Sequence, residues 1–349
     1  MSHQALSAVV AIAGGLVLAV LLFVPVAAVM YRRNGSLTGG DLATLVATTV
    51  YGLALWTYTL LPLPIDLDYR CRRPIADVRS LWYGILAHPH ATALDLARNP
   101  MVLQLVLNVA LFFPLGVLLR VKARRGVFVA AVAGLGVSLM IETTQYTGIW
   151  GLYPCAYRYF DVGDLITNPV GAVVGSVMAA LVVGREPERR ARALPRLTPG
   201  RRLVALVSDL LVIGLLGTVT VVVWRVWSMI DPGVPTGPDD AHTQALLQWG
   251  LPLAVQAIAV LGWGCTIGEA VVQIRTRPRR RRWTLTGRIM KLATGVGALC
   301  VLAAGIIPAS GWILTALLVA HLAAVAIPGG RGLSNTLARL DVELMETSG

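Results

Sequence analysis

Along most of this chain, apolar residues fall in long uninterrupted blocks. The blocks run over roughly 5–30, 42–62, 101–120, 126–147, 165–184, 203–226, 246–264, 289–307 and 311–328. At 1.5 Å rise per residue, about 20 such residues cross the ~30 Å hydrocarbon core of a bilayer. A helix apolar on every face is stable in lipid or deep inside a bundle, because all its backbone groups are satisfied internally. The pattern therefore predicts an all-α polytopic membrane protein with nine transmembrane helices. The first block has no Lys or Arg before it and is too long for a cleavable leader, so it reads as a span.

The charges between the blocks predict an orientation. Arg32 and Arg33 follow the first span, which puts the N-terminus outside. Lys122, Arg124 and Arg125, the arginines of 185–202, those of 275–282, and Arg331 with Arg339 then all fall on the cytoplasmic side. The other loops are nearly free of basic residues, except 63–100, whose length exempts it from the rule. The C-terminus is expected inside a bacterial-type cytoplasmic membrane.

Composition agrees: 56% of the 349 residues are hydrophobic and only 14% charged, against about a quarter charged in soluble domains. A net charge of +12 and the stretch "RTRPRRRRW" would suggest nucleic-acid binding in a soluble protein. Here every basic cluster sits where topology requires one, and it serves retention and attraction to anionic lipids. No nucleic-acid partner is expected.

The polar, proline-containing stretch "GREPERRARALPRLTPGRR" (184–202) divides the chain. The expected organisation is a five-span bundle (1–184), a basic linker (185–200), a four-span module (201–330) and a cytoplasmic tail (331–349), whose end, "VELMETSG", reads as loose. Of four cysteines, Cys71 and Cys155 fall in outer loops, while Cys265 and Cys300 lie at or within spans. Only the pairing Cys71–Cys155 suits this topology; the alternative is two free thiols.

The candidate chemistry clusters at one end of the first bundle. "FDVGDLITNPVGAVVG" (160–175) places Asp161, Asp164 and Asn168 at the mouth of span five. Pro169 suits the first helical turn, and Gly171 with Gly175 forms a GxxxG that lets a neighbouring backbone approach. In "MIETTQYTG", Glu142 and Gln145 share a face of span four, with Arg158 as the expected partner of Glu142. In "NVALFFPLG", Asn108 falls at similar depth, and Pro114 with Gly116 suggests a kink opening space between helices. The set predicts an outward-facing polar pocket. The structural alternative is that Asp164 caps span five and Glu142 pairs with Arg158.

These residues carry a resemblance. "NVALFFPLGVLL", "IETTQYTG" and "RYFDVGDLITNPVGAVVG" resemble the signature of the VanZ-like membrane family over about residues 40–185. The matching positions are Asn108, Phe112, Pro114, Gly116, Glu142, Gln145, Arg158, Asp161, Asp164, Asn168, Gly171 and Gly175. The resemblance implies an association with resistance to teicoplanin-type glycopeptides and supplies no chemical mechanism. In the second half, "LTPGRRLVALVSDLLVIG" with Arg202 and Asp209, followed by "CTIGEAVVQIRT", resembles the opening of an RDD-family module. Glu269 stands where that family usually has lysine.

His88 and His90 lack further fixed ligands, so no metal is assigned. "SLWYGIL" (80–86) reads as a short interfacial helix, and Trp150, Tyr153, Tyr157 and Tyr159 as an aromatic belt. The chain has no P-loop, GxSxG elbow or HExxH, and no cofactor is expected. The leading reading is a non-enzymatic envelope protein whose pocket binds a lipid or wall-precursor headgroup. In it Arg158 meets an anionic group, and Asn108, Glu142, Gln145 and Asn168 supply hydrogen bonds. Asp161 and Asp164 orient Arg158. The partners are membrane lipids, with a lipid-linked wall precursor or a glycopeptide as further candidates. The alternatives are an intramembrane enzyme using its acids, or a transporter using Glu142 and Asp209. The oligomeric state is not legible in the sequence.

Overall fold

A computed structural model describes residues 3–66, 68–183, 197–231, 243–278, 284–305, 307, 309–327 and 330–345. The basic linker over 184–196 and the arginines at 279–282 lie outside them. The described residues are mostly helical, and the chain forms two compact units, Met1–Val17 with Val46–Glu188 and Leu18–Leu45 with Arg189–Gly349. Helices α1 (His3–Asn34) and α2 (Gly39–Leu60) each contribute to both.

Among the described residues, eight helices are long and apolar enough to cross a membrane. The ninth expected span is present as Ser310–Ala326, apolar but only 17 residues long. This is an all-α polytopic membrane protein.

In the first unit, a two-helix excursion, α3 (Arg79–Leu86) and α4 (Ala93–Arg98), precedes α5 (Pro100–Val121). Asn99 sets the start of α5: its side chain accepts from the Met101 N–H at 3.0 Å, and Pro100 occupies the first turn, where no N–H is needed. Then come α6 (Val127–Tyr146), the single turn α7 (Gly148–Gly151) and α8 (Asp164–Val183). Leu55, Phe112 and Ile141 form the apolar core where α2, α5 and α6 meet.

α5 and α8 share the most extensive helix–helix interface. The reason lies in the glycines. A Cβ on Gly171 would strike the Val109 carbonyl, one on Gly175 the Phe113 carbonyl, and one on Gly116 the Ala172 carbonyl. The helices therefore touch backbone to backbone. α5 stays helical through Pro114, and the close approach flanks it. The expected opening between helices is instead a packed contact.

Beyond the helix ends, the 63–78 and 148–162 loops are laced together. Cys71 and Cys155 are disulfide-bonded, with Cα atoms 5.6 Å apart. Ile75 bridges to Asp161, and Arg72 donates its backbone N–H to the Ala156 carbonyl at 2.8 Å. The Tyr69 hydroxyl donates to the Cys155 carbonyl at 2.7 Å, and that of Tyr157 to the Leu60 carbonyl at 2.9 Å. Burial pushes the Tyr157 phenol up to about 12, because its ionised form would lose its hydration.

The second unit contains α9 (Pro199–Ile230) and α10 (Leu251–Trp263), the latter entered through a π-helical turn, Leu246–Gly250. Pro252 has no N–H for the regular ladder, which accounts for the wider turn before it. Then follow α11 (Ile267–Val271), β1 (Ile274–Pro278), α12 (Thr284–Thr294), α13 (Val296–Ala303), α14 (Ser310–Ala326), α15 (Leu333–Leu337) and β2 (Leu340–Leu344). The block expected as one span over 289–307 is one of the eight candidate spans, Thr284–Ala303, and the helix is interrupted within it at Gly295.

The tail is not loose where it is described. β2 pairs antiparallel with β1, from Ile274 opposite Leu344 to Pro278 opposite Leu340, and Arg277 meets Glu343 at 3.2 Å. The alternation Leu340, Asp341, Val342, Glu343, Leu344 is a strand pattern with one apolar face. The last part of "VELMETSG", 346–349, lies outside the described residues.

Candidate functional site

Asp164 opens α8 and is the hub of the polar set. Its Oδ1 accepts from Asn108 Nδ2 of α5 at 2.6 Å, and its backbone carbonyl accepts from the Ser138 hydroxyl of α6 at 3.1 Å. The Asp164 side chain is therefore spent on α5 rather than on capping its own helix. Asp161 instead accepts the Gly163 N–H on Oδ1 at 2.8 Å, an Asx-type turn that launches α8.

Glu142 is 2% exposed. Its Oε2 accepts the backbone N–H of Asp161 at 2.8 Å. The expected partner was Arg158, and here the expectation fails. Among the described residues no ion pair joins Arg158 to Glu142, Asp161 or Asp164; Arg158 Nη2 donates to the Leu61 carbonyl. The backbone carbonyl at the end of α2 takes the guanidinium, while the loop's own N–H takes the acid.

Gln145, one turn on from Glu142, donates to the Thr59 carbonyl of α2 at 2.7 Å and so ties α6 to α2. Asn168 donates to Ser138 Oγ at 2.9 Å, while its own Oδ1 has no partner among the described residues. The structure thus joins Asn108, Glu142, Asp161, Asp164 and Asn168 in one network, with Gln145 and Arg158 held to α2 and the residue after it. Glu142, Gln145, Asn168 and Ser138 are all buried. The arrangement is a packed interhelical cluster.

α7 adds strain beside this cluster. Gly148, Ile149 and Trp150 all have φ between 55° and 59°, left-handed values that are costly for a β-branched residue. Trp150 itself and Leu152 beyond it are 67% and 71% exposed.

Ser138 and Thr167 belong to this network and were missed. Each is an uncharged polar residue in an apolar helix, and that is the only signal the sequence offers.

Residues 48–183 match the VanZ/LLP1 family model. That stretch is similar to the VanZ/LLP1 family. It contains every member of the polar cluster, the disulfide and the glycine seam between α5 and α8. Neither the curated proteins nor the solved structures contain a match to this chain.

A second polar network lies beyond the VanZ/LLP1 stretch. Asp209 of α9 accepts from Gln256 Nε2 at 2.8 Å, the Thr266 hydroxyl at 2.6 Å and the Gly268 N–H at 2.7 Å. Arg202 does not tether it; that guanidinium donates to the carbonyls of Ala324, Ile327 and Gly330. Glu269 forms a capping box with Thr266 and receives Lys291 Nζ and Asn335 Nδ2. Lys291, 1% exposed on its side chain, is the single cation of α12's buried face, and Gln256 is the single amide of α10. Both were legible as isolated polar residues; Asn335 was not.

Proposed function

We propose that the VanZ/LLP1 stretch binds the polar headgroup of a membrane or wall-precursor lipid on the extracytoplasmic side, and that this contact underlies a role in glycopeptide susceptibility. The N-terminus lies outside in this reading, in keeping with the basic loops. One observation carries it: polar side chains of three apolar helices converge around Asp164 next to a loop layer closed by a disulfide. Intramembrane acids are expensive and concentrate where a pathway or ligand needs them. Arg158 supplies the positive charge, because among the described residues a carbonyl holds it and no acid neutralises it. Asn168 Oδ1 supplies an open acceptor. The exposed Trp150 and Leu152 beside the strained turn sit at headgroup level.

The test is teicoplanin susceptibility in cells expressing wild type, Glu142→Gln or Arg158→Ala, with membrane abundance quantified. Protection by wild type that Arg158→Ala loses at equal abundance supports the reading. Protection by the variants equal to wild type makes these residues scaffolding, and absence of protection by wild type removes the glycopeptide link.

A further inference from the structure

The second unit holds a cavity of about 70 Å³ that the headgroup reading does not use. It lies between α9, the break at Gly295, α14 and α15, and its lining includes Arg202, His321, Val325, Arg331 and Asn335. By volume it holds several waters or one small oxyanion. The acids of its wall are already saturated. Asp209 accepts three hydrogen bonds, and Glu269 accepts from Thr266, Lys291 and Asn335. A cation would have to displace these donors.

The cations are not matched in the same way. Lys291 is paired with Glu269, and Arg331 with Asp341 at 3.0 Å. Arg202 is 5% exposed and meets only carbonyl dipoles, with no carboxylate beside it among the described residues. A buried charge without a counter-ion is costly. Two buried atoms in this lining also have no hydrogen-bond partner among the described residues: Arg202 Nε, a donor, and Asn335 Oδ1, an acceptor. Asn335 is likewise 5% exposed. Such orphans cost free energy unless a ligand completes them.

We propose that this cavity is a binding site for a phosphate-type oxyanion that also carries a hydroxyl. A phosphate oxygen accepts from Arg202 Nε and neutralises the guanidinium, a pairing that charge strengthens. The hydroxyl donates to Asn335 Oδ1. Inorganic phosphate meets both demands, and so does the hydroxylated headgroup of phosphatidylglycerol. Sulfate, fully ionised near neutral pH, meets only the first.

The test uses the full chain in phosphatidylcholine nanodiscs. Thermal unfolding is followed against sodium phosphate and against sodium sulfate at matched ionic strength, and then in nanodiscs containing phosphatidylglycerol. Wild type should show a saturable rise in Tm with phosphate beyond that with sulfate, or a rise with phosphatidylglycerol. The first outcome identifies a free anion as the source and the second a lipid headgroup. Val325→Phe fills the cavity while removing no polar side chain and should weaken the response by about tenfold or more. Should Val325→Phe fail to elute as a folded species, Arg202→Lys reads the same point, since it keeps the charge and loses the Nε donor. Equal responses to sulfate and phosphate with none to phosphatidylglycerol, or folded variants that respond like wild type, would overturn the proposal.

Discussion

Glu142 accepts the backbone N–H of Asp161 at 2.8 Å, so an acid in α6 fixes the loop that launches α8. The carboxylate is 2% exposed and its bond partner is main chain, which makes the contact independent of what occupies position 161. Removing the acceptor leaves a donor without a partner. Glu142→Ala should lower stability by about 1–3 kcal/mol, the usual cost of such an orphan. Glu142→Gln retains an acceptor for the Asp161 N–H, so it should unfold near wild type. Thermal unfolding of the purified proteins in one detergent checks both; equal loss in the two variants would assign the effect to charge rather than to the acceptor.

The glycine seam gives a sharper steric test. At Gly171 and Gly175 a single added methyl meets a carbonyl of α5, and backbone cannot swing aside as a side chain can. Gly175→Ala should destabilise the protein by about 1–3 kcal/mol, as overpacking does. Gly136 in α6 is the internal control, because nothing lies within 4 Å of its added Cβ. Gly136→Ala should be neutral or stabilising by roughly 0.5–1 kcal/mol through helix propensity. Folded yield by fluorescence-detected size exclusion separates the two.

Much of this first unit was legible because its signals are local. Block length marks a span, and GxxxG marks a close approach, whatever the partner. The partners themselves were not legible. Pairing Glu142 with Arg158 followed from charge and proximity in sequence, yet the backbone carbonyl of Leu61, nearly a hundred positions away, was the better-placed acceptor. The break at Gly295 was hidden for a different reason: hydropathy averages across a glycine and sees one block. The final strand was visible in the alternation of 340–344 and was overlooked because its position suggested a tail.

The cysteines divide by environment. Cys71 and Cys155 are bonded, while Cys265 and Cys300 are free thiols and buried. Burial pushes the Cys265 thiol above its ordinary value, with Glu269 nearby adding to the effect. At a given pH it therefore holds less thiolate than an exposed cysteine, and maleimide, which attacks through the thiolate, should modify it slowly. Raising the pH should speed the reaction, the direction set by a raised pKa. Mass-shift labelling should modify neither free thiol appreciably in the native protein, two thiols after denaturation without reductant, and all four after reduction. Four modified thiols in denatured, unreduced protein would exclude the bridge.

Lys291 and Glu269 form the buried ion pair of the second unit, and the pair reaches further than its two members. Lys291 Nζ also donates to the Gly264 carbonyl at 3.1 Å, while Glu269 takes the Thr266 N–H at 2.9 Å and Asn335 Nδ2 at 2.9 Å. One cation thus gathers the end of α10, the start of α11 and α15. Removing it leaves Glu269 buried without a counter-charge, a change that typically costs about 3–5 kcal/mol. Lys291→Met preserves length and packing and isolates that charge effect. Glu269→Gln alone strands Lys291 in turn and sets an amide donor against Asn335 Nδ2, so it should also cost about 3–5 kcal/mol. If the charge is the cause, the double variant Lys291→Met with Glu269→Gln should be more stable than Lys291→Met alone, because it removes the stranded carboxylate. A thermal-unfolding double-mutant cycle measures the coupling. Purely additive losses would mean that Lys291 acts through its carbonyl contact and its methylenes, and that Glu269 is held by its amide and backbone donors without it.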